Sequence, residues 1–172
     1  MLNGKKISLR PLEFEDYQLI VNWHNDTNIK YLTMMHPFPV PQASEKEWIE
    51  NIITNKSNLQ VYFGIELLET NALVGIICLK PINYLHNNAK VGIFIGDASY
   101  RSRGIGMEAM QLVLEYGFKQ LNLIKINLEV IESNIAAIKL FDKMGFIKEG
   151  ILKKQFFFND KYFDVLLMSY FK

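Results

Sequence analysis

This 172-residue chain has little cysteine, little histidine and almost no net charge. Its single cysteine excludes a disulfide within the chain, which favours a reducing compartment such as the cytoplasm. The three histidines, His24, His36 and His86, lie far apart and have no cysteine beside them, so the spacing of a metal site is missing. A formal net charge of +1 provides no basic surface for nucleic acid. We therefore expect neither a resident metal nor a nucleic-acid partner.

Long apolar runs are missing as well. None approaches the roughly 20 residues that cross a bilayer, and residues 1–6 lack the apolar core of a signal peptide. Apolar residues still make up 49% of the chain and aromatic residues 13%, enough for one domain with a filled core. We expect a single cytoplasmic domain over residues 1–172, without membrane contact. Cys78, inside the apolar run 74–79, is expected to be a small buried hydrophobe rather than a nucleophile.

Hydrophobic periodicity predicts elements in the order β-α-α-β-β-β-α-β-α-β-β. Three of the five prolines fall in residues 34–41, which therefore form neither regular helix nor central strand. Ser44 with Glu47 predicts a capping box that opens a helix, whose inward residues are Trp48, Ile49, Ile52 and Ile53. The pattern predicts an α/β (α+β) fold, with a mixed, mostly antiparallel sheet of about seven strands and helices on both faces.

The most informative segment is the turn Arg101–Gly106, which connects the apolar run Val91–Ile95 to the helical segment Met107–Gln120. Its two glycines permit a tight turn that brings backbone N–H groups close to a ligand. At a helix start these N–H groups lack intrahelical acceptors, and the macrodipole adds partial positive charge. The two arginines add permanent cations. The turn therefore predicts a binding site for a pyrophosphate.

Two kinds of protein use such a turn. As Gly104-x-Gly106-x-x-Ala109 it is a variant of the dinucleotide-binding fingerprint, which would indicate a small NAD-dependent oxidoreductase. That fingerprint begins directly at the end of a strand, whereas here eight residues intervene. As Arg-x-x-Gly-x-Gly, the turn resembles the coenzyme A pyrophosphate loop of the GNAT N-acetyltransferases. The strand, the Asp97-x-x-Tyr100 connection, the turn and the helix follow one another in the order of that family.

The resemblance extends over nearly the whole chain. Residues 9–12, Leu-Arg-Pro-Leu, are similar to the opening of the branch that contains ribosomal-protein alanine and spermidine acetyltransferases, and residues 141–146 match its closing half. Residues 158–165 are similar to the tails of spermidine and nucleotide-amino-sugar acetyltransferases. The resemblance implies the GNAT fold, acetyl-CoA as co-substrate, and direct attack by a small-molecule primary amine without an acyl-enzyme. The resemblance is compatible with either a monomer or a homodimer.

The resemblance also implies where the cofactor binds. The backbone of Phe94, Ile95 and Gly96 is expected to pair with the pantetheine arm as an added strand, with one N–H facing the thioester oxygen. Asn134 is expected to meet the cofactor, although asparagine also suits the N-cap of the helix that begins there. The expected cofactor-binding residues are Phe94, Ile95, Gly96, Arg101, Ser102, Arg103, Gly104, Ile105, Gly106, Met107 and Asn134.

Glu129 is the predicted general base. Strand alternation puts it on one face with Asn127, and Leu128 and Val130 on the other. In the related alanine acetyltransferases the matching glutamate takes the amine proton through water; a structural carboxylate is the alternative interpretation. The tyrosine with which the family protonates the leaving thiolate is replaced by Phe141. Either another donor serves, or the thiolate leaves unassisted, which a thiol pKa near ~8.5 permits.

The acceptor is expected to bind between the first two helices, the proline-rich segment and the terminal hairpin. The candidate substrate residues are Trp23, His36, Phe38, Tyr84 and His86. We rank an amino sugar above a polyamine, which needs several carboxylates in its site, because this lining is aromatic and the charge is near neutral. A peptide or ribosomal-protein amino terminus ranks third. A coenzyme A-binding module that lost catalysis with its tyrosine is the non-enzymatic alternative.

Overall fold

The computed structural model of the chain describes residues 1–54 and 57–172. In these ranges the strands are β1 (Leu2–Asn3), β2 (Ile7–Arg10), β3 (Val61–Leu67), β4 (Leu73–Asn83), β5 (Asn88–Ile95), β6 (Lys125–Ile131), β7 (Ile147–Phe158) and β8 (Lys161–Phe171). The α-helices are α1 (Tyr17–Asn25), α2 (Thr27–Leu32), α3 (Gln42–Ile53), α4 (Ile105–Lys119) and α5 (Ile135–Met144). The predicted order is confirmed, with β1 and α2 as additions. No helix of the described ranges is long and apolar enough to span a membrane.

The strands form one mixed sheet in the order β1-β2-β3-β4-β5-β6-β8-β7. The predicted sheet is confirmed, with eight strands in the described residues because the two-residue β1 adds to the edge of β2. Among the strands of the described residues only β5 and β6 are parallel, as expected for strands joined through a crossover helix, here α4. They pair over three residues alone, from Asn88 with Lys125 to Lys90 with Asn127. Beyond Lys90 the strands separate, and β5 has an open edge.

Helices cover both faces of the sheet, as predicted. Adjacent residues of β4 show this, because Ile77 packs into the core beneath α4 whereas Ile76 packs into the core beneath α1 and α3. On α4 the buried side chains recur three or four residues apart and include Met110 and Val113, both fully buried. Burial of each such side chain stabilises the fold by about 1.5–3 kcal/mol. The two cores fix the sheet between its helices.

The helix α3 begins earlier than the predicted capping box. It starts at Gln42, with Pro41 as N-cap at φ −67°, so Ser44 and Glu47 lie inside its first turns. The predicted capping box is therefore wrong here, because the fixed φ of proline already directs the chain into the helix. Ile53, predicted to point inward, is 47% exposed at the end of the helix.

The chain ends in a long hairpin of β7 and β8. Its turn lies at Asn159 and Asp160, and both residues have positive φ, which suits a two-residue hairpin turn. The strands extend to Ile147 on one side and Phe171 on the other, because they continue the sheet beside β6. Gly145, at φ +93°, is the C-cap that ends α5.

Candidate active site

A cleft of about 510 Å³ opens where β5 and β6 separate. Its walls come from both strands, the first turn of α4, the adjacent face of α5 and the segment that follows α2. The side chains and backbone that line it include His24, Trp48, Tyr62, Lys80, Lys90, Phe94, Ile95, Gly106, Glu129, Asn134 and Phe141. The cleft therefore brings the predicted turn, the predicted base and the end of β5 to one place.

The turn before α4 has the backbone geometry of an anion-binding loop. Ser102 and Gly104 have φ of +60° and +83°, in the left-handed region. Such residues aim successive N–H groups at one point. In residues 1–54 and 57–172 no protein acceptor pairs with the N–H groups of Ile105, Gly106 and Met107, the first three of α4. These donors are thus available to a ligand, as the sequence predicts.

The two arginines of the turn have different surroundings. Arg101 folds back, and its Nε donates to the carbonyl of Ile95 at 3.2 Å while Nη2 donates to Gly96 at 3.4 Å. This side chain ties the turn to the end of β5. The guanidinium of Arg103 lies over the ring of Tyr100, 5.4 Å from its centroid. Arg103 consequently carries its charge on the surface of the turn.

The end of β5 is shaped from behind by Trp23. A Cβ on Gly96 would lie 2.1 Å from Cε2 of Trp23, so only glycine fits beneath the indole. Trp23 is 7% exposed and packs edge-on against Phe94, with 5.9 Å between ring centroids. It belongs to the core beneath α1 and α3 rather than to the cleft wall. Helical spacing marks core residues in the same way, and the predicted contact of Trp23 with the substrate stays a prediction.

Asn134 and Phe141 form the wall on the α5 side. Oδ1 of Asn134 accepts from the N–H of Ala137 at 3.2 Å, which confirms the N-cap that its position predicts. Phe141 is 5% exposed and packs against Phe146, with ring centroids 5.6 Å apart. A cofactor contact of Asn134 stays a prediction.

Glu129 projects from β6 on the face opposite Leu128, as the alternation predicts. It lines the cleft, but Oε1 lies 2.7 Å from Nζ of Lys90 on β5. The carboxylate is thus already engaged with an ammonium group. The arrangement fits the structural interpretation of Glu129, and its role as base stays a prediction.

The sequence did not indicate the pairing of His24 with Glu45, which the structure brings together at the cleft wall. His24 is 8% exposed, and its Nδ1 lies 3.0 Å from Oε2 of Glu45 on α3. Glu45 is 1% exposed, and its Oε1 has no hydrogen-bond partner in the described part of the chain. Glu45 stands one helical turn before the buried Ile49, and this spacing was the signal that could have indicated its burial.

The other predicted substrate residues lie outside the cleft. His36 and Phe38 are exposed on the proline-rich segment, with ring centroids 5.7 Å apart. Tyr84 and His86 are exposed between β4 and β5, and the Tyr84 hydroxyl donates to the carbonyl of Asn58 at 3.0 Å. Met34 and Met35 of the proline-rich segment, together with Trp48 and Tyr62, line the cleft instead. The proline-rich segment therefore reaches the cleft through Met34 and Met35 rather than through His36 and Phe38.

The floor of the cleft carries Cys78, Tyr62 and Lys80. Cys78 is buried, as predicted, and burial raises the pKa of its thiol. Burial also raises the pKa of Tyr62, whose hydroxyl is hydrogen-bonded to Nζ of Lys80. In the ranges that the structure describes, no three His, Cys, Asp or Glu side chains are grouped to hold a metal ion.

Comparison with known proteins yields a consistent set of similarities. Residues 6–147 match the family described as the acetyltransferase (GNAT) domain. The spermidine N(1)-acetyltransferase of Vibrio cholerae is 32% identical over 165 residues, which cover 96% of this chain and 92% of that protein. The Escherichia coli K12 spermidine N(1)-acetyltransferase is 30% identical over 172 residues, covering 100% and 89%. The crystal structure of the Vibrio cholerae spermidine N-acetyltransferase with CoA and spermine has a TM-score of 0.89 at 31% identity, covering 98% of this chain and 96% of that one.

Proposed function

Because this chain belongs to the GNAT acetyltransferase family and is an acetyl-CoA-dependent N-acetyltransferase, we propose that its acceptor is a primary amine of a small polyamine. Family membership supports the coenzyme A interpretation of the glycine turn over the dinucleotide one. The observation that supports binding of acetyl-CoA is the cleft at the open edge of β5, beside the N–H groups at the start of α4. An extended cofactor arm and its pyrophosphate fit these two features together.

The pantetheine arm is proposed to pair with the open edge of β5 at Phe94, Ile95 and Gly96. A backbone N–H there faces the thioester oxygen and stabilises the negative charge that develops on it, an effect worth about 10²–10³ in rate for one such donor. The pyrophosphate accepts hydrogen bonds from the turn at residues 101–107. Arg101 keeps the end of β5 and this turn at a fixed distance through its two carbonyl contacts.

The thiolate of coenzyme A is proposed to leave without a protein acid. Phe141 occupies the wall position where the family has tyrosine, and it has no proton to donate. We further propose that the reaction needs no metal ion, so a chelator such as EDTA leaves the rate unchanged.

The polyamine acceptor is supported by the two spermidine acetyltransferases, both similar over nearly their whole length. We accordingly place a polyamine ahead of the amino sugar that sequence reasoning ranked first. An amino sugar is the second candidate, favoured by the aromatic walls that Trp48, Tyr62 and Phe94 present to the cleft.

Thiol release from acetyl-CoA tests these assignments. Purified protein is incubated with spermidine, spermine, glucosamine and a short peptide with a free amino terminus, and kcat/KM is measured for each. We expect the highest value with a polyamine. A preference for glucosamine favours the second candidate, and turnover of the peptide alone overturns both. Light scattering of the same sample tests whether the chain forms a homodimer, which stays a prediction.

A further inference from the structure

His24 is held in the cleft wall by a hydrogen bond at one ring nitrogen, while the other has no hydrogen-bond partner within the described ranges. Nδ1 lies 3.0 Å from Oε2 of Glu45. The ring packs edge-on against Trp48, with centroids 5.2 Å apart, and lies 5.9 Å from Phe94. Among the described residues, Glu45 provides the sole hydrogen bond to this side chain. Three contacts thus fix the imidazole, and Nε2 is the nitrogen left for a substrate.

Glu45 has the surroundings of an orienting group. It is 1% exposed in the first turn of α3, where the helix macrodipole stabilises negative charge. Its second oxygen, Oε1, has no partner in the described part of the chain. Burial of a polar group without a partner is costly, and His24 is the partner that the structure gives this carboxylate. A carboxylate on Nδ1 selects the tautomer whose Nε2 accepts a proton and stabilises the imidazolium that results.

We propose that His24 is the general base that deprotonates the acceptor amine, with Glu45 as its positioning residue. The proposal rests on the proposed N-acetylation of a small amine and adds the group that accepts the proton. His24 shares the cleft with Phe94 at the end of β5, where the thioester is proposed to lie. Its competitor Glu129 lies 2.7 Å from Lys90, whereas no group of residues 1–54 and 57–172 is hydrogen-bonded to Nε2 of His24.

The proton balance is complete with the groups at hand. The amine arrives as an ammonium ion and gives one proton to Nε2 of His24, which passes it to solvent. The neutral nitrogen forms the C–N bond, and the electron pair of the C–S bond leaves on sulfur. The nitrogen then loses its second proton, and the thiolate is protonated to the free thiol. The products are the acetamide, coenzyme A and one proton.

A pH–rate profile can identify this base because few groups in the cleft titrate near neutral pH. Glu45 from α3 contacts the ring of His24 directly. The other titratable groups that share the cleft with His24 are Tyr62 from β3, Cys78 and Lys80 from β4, Lys90 from β5 and Glu129 from β6. Burial raises the pKa values of Cys78 and Tyr62 away from neutrality. Histidine is the side chain whose ordinary titration falls between pH 5 and 8.

The test compares His24→Gln and Glu45→Gln with wild type at saturating acetyl-CoA and spermidine. We expect His24→Gln to lower kcat by about 10²-fold or more, within the usual range for general base catalysis, and to abolish the acid limb of the profile. The KM for acetyl-CoA stays unchanged. Glu45→Gln moves the acid limb to lower pH, because the imidazolium loses its carboxylate. Glu50→Gln, the same change at an exposed carboxylate of α3, is the matched control for Glu45→Gln and retains wild-type kcat.

A second variant separates catalysis from packing. His24→Ala should regain activity when imidazole is added, whereas a residue that only joins α1 to α3 would not be rescued. The role of His24 is overturned if His24→Gln keeps kcat within about threefold of wild type, or if kcat falls with an unchanged acid limb and no rescue by imidazole. A wild type that acetylates no amine of the panel overturns the proposed function, and the role of His24 with it. Wild-type turnover with an unaffected variant overturns the role of His24 alone.

Discussion

Nζ of Lys90 lies 2.7 Å from Oε1 of Glu129, and this ion pair joins β5 to β6 where their pairing ends. The last paired residues are Lys90 and Asn127, and Glu129 stands two residues farther along β6. Both side chains are more than a third exposed, so the pair contributes at most about 1 kcal/mol to stability. Its importance lies in its position, since it spans the base of the cleft in which the thioester is proposed to react.

We expect Glu129→Gln to keep kcat within about tenfold of wild type, because its carboxylate is engaged with Lys90 and the base is assigned to His24. Lys90→Met should have an effect of similar size, since both changes break the same pair. Steady-state kinetics at saturating acetyl-CoA and spermidine provide the measurement. A loss of about 10²-fold in Glu129→Gln, with Lys90→Met unaffected, would return the role of base to Glu129.

Gly106→Ala should weaken acetyl-CoA binding while leaving the fold intact. An added Cβ would meet Cδ2 of Leu140 at 3.8 Å, an ordinary contact, but it would stand in the cleft beside the proposed pyrophosphate site. Loss of one hydrogen bond to a charged group costs about 1.5–3 kcal/mol, so we expect Kd to rise by at least about tenfold in titration calorimetry.

Gly150→Ala is the matched control for that experiment. Its Cβ would also meet a leucine side chain at 3.8 Å, here Leu167, but it lies on β7 away from the cleft. Its affinity for acetyl-CoA should equal that of the wild type. An equal Kd for Gly106→Ala and Gly150→Ala would contradict the assignment of the turn.

Phe141→Tyr should raise kcat, because it restores a proton donor for the thiolate in the cleft wall. The side chain is 5% exposed and already packs against Phe146, so the ring keeps its contacts. Stopped-flow measurement of thiol release, with the melting temperature as control, distinguishes a chemical effect from a packing effect. An unchanged kcat would indicate that thiolate departure does not limit turnover.

Arg10→Met should destabilise the fold by about 2 kcal/mol, since it leaves two partly buried carboxylates without their cation. The guanidinium makes a bidentate contact with Asp16, at 2.8 and 2.9 Å, and Nε donates to Glu66 at 2.6 Å. Denaturant unfolding measures the loss. Lys119→Met breaks an exposed pair with Glu115 and should cost less than about 0.5 kcal/mol. Equal effects of the two variants would refute the proposed difference.

Asp164→Asn should lower the melting temperature at neutral pH but not in acid. The hydrogen bond from Lys153 and that from the N–H of Lys154 hold the pKa of Asp164 below its ordinary value. A depressed carboxyl pKa stabilises the folded state above the unfolded value, and this stabilisation disappears as pH falls through the folded pKa. The difference between wild type and variant should therefore narrow below about pH 4, the ordinary range of an aspartate.

Asp142→Asn serves as the control for this titration, because Asp142 is exposed on α5. Its melting temperature should follow that of the wild type at every pH. A gap between wild type and Asp164→Asn that stays constant from neutral pH to about pH 3 would contradict a stabilising carboxylate.

The sequence by itself determined the features that depend on neighbouring residues. Gly104 and Gly145 occupy left-handed positions where a side chain would be strained, and the Asn159-Asp160 turn follows the same local preference. The order of elements and the two-faced sheet follow from periods of 3.6 and 2 residues in the apolar pattern. These properties are encoded within a few residues of each position, so they could be predicted without tertiary structure.

Only the tertiary structure decided which side chains meet in the cleft. His24 and Glu45 are 21 positions apart, and their 3.0 Å contact exists because α1 and α3 pack together on one face of the sheet. The same packing buries Trp23 against Gly96, a contact that no local sequence pattern indicates. Local patterns determine which face of an element is apolar, but the contacts between faces depend on how distant segments pack, which no local rule encodes.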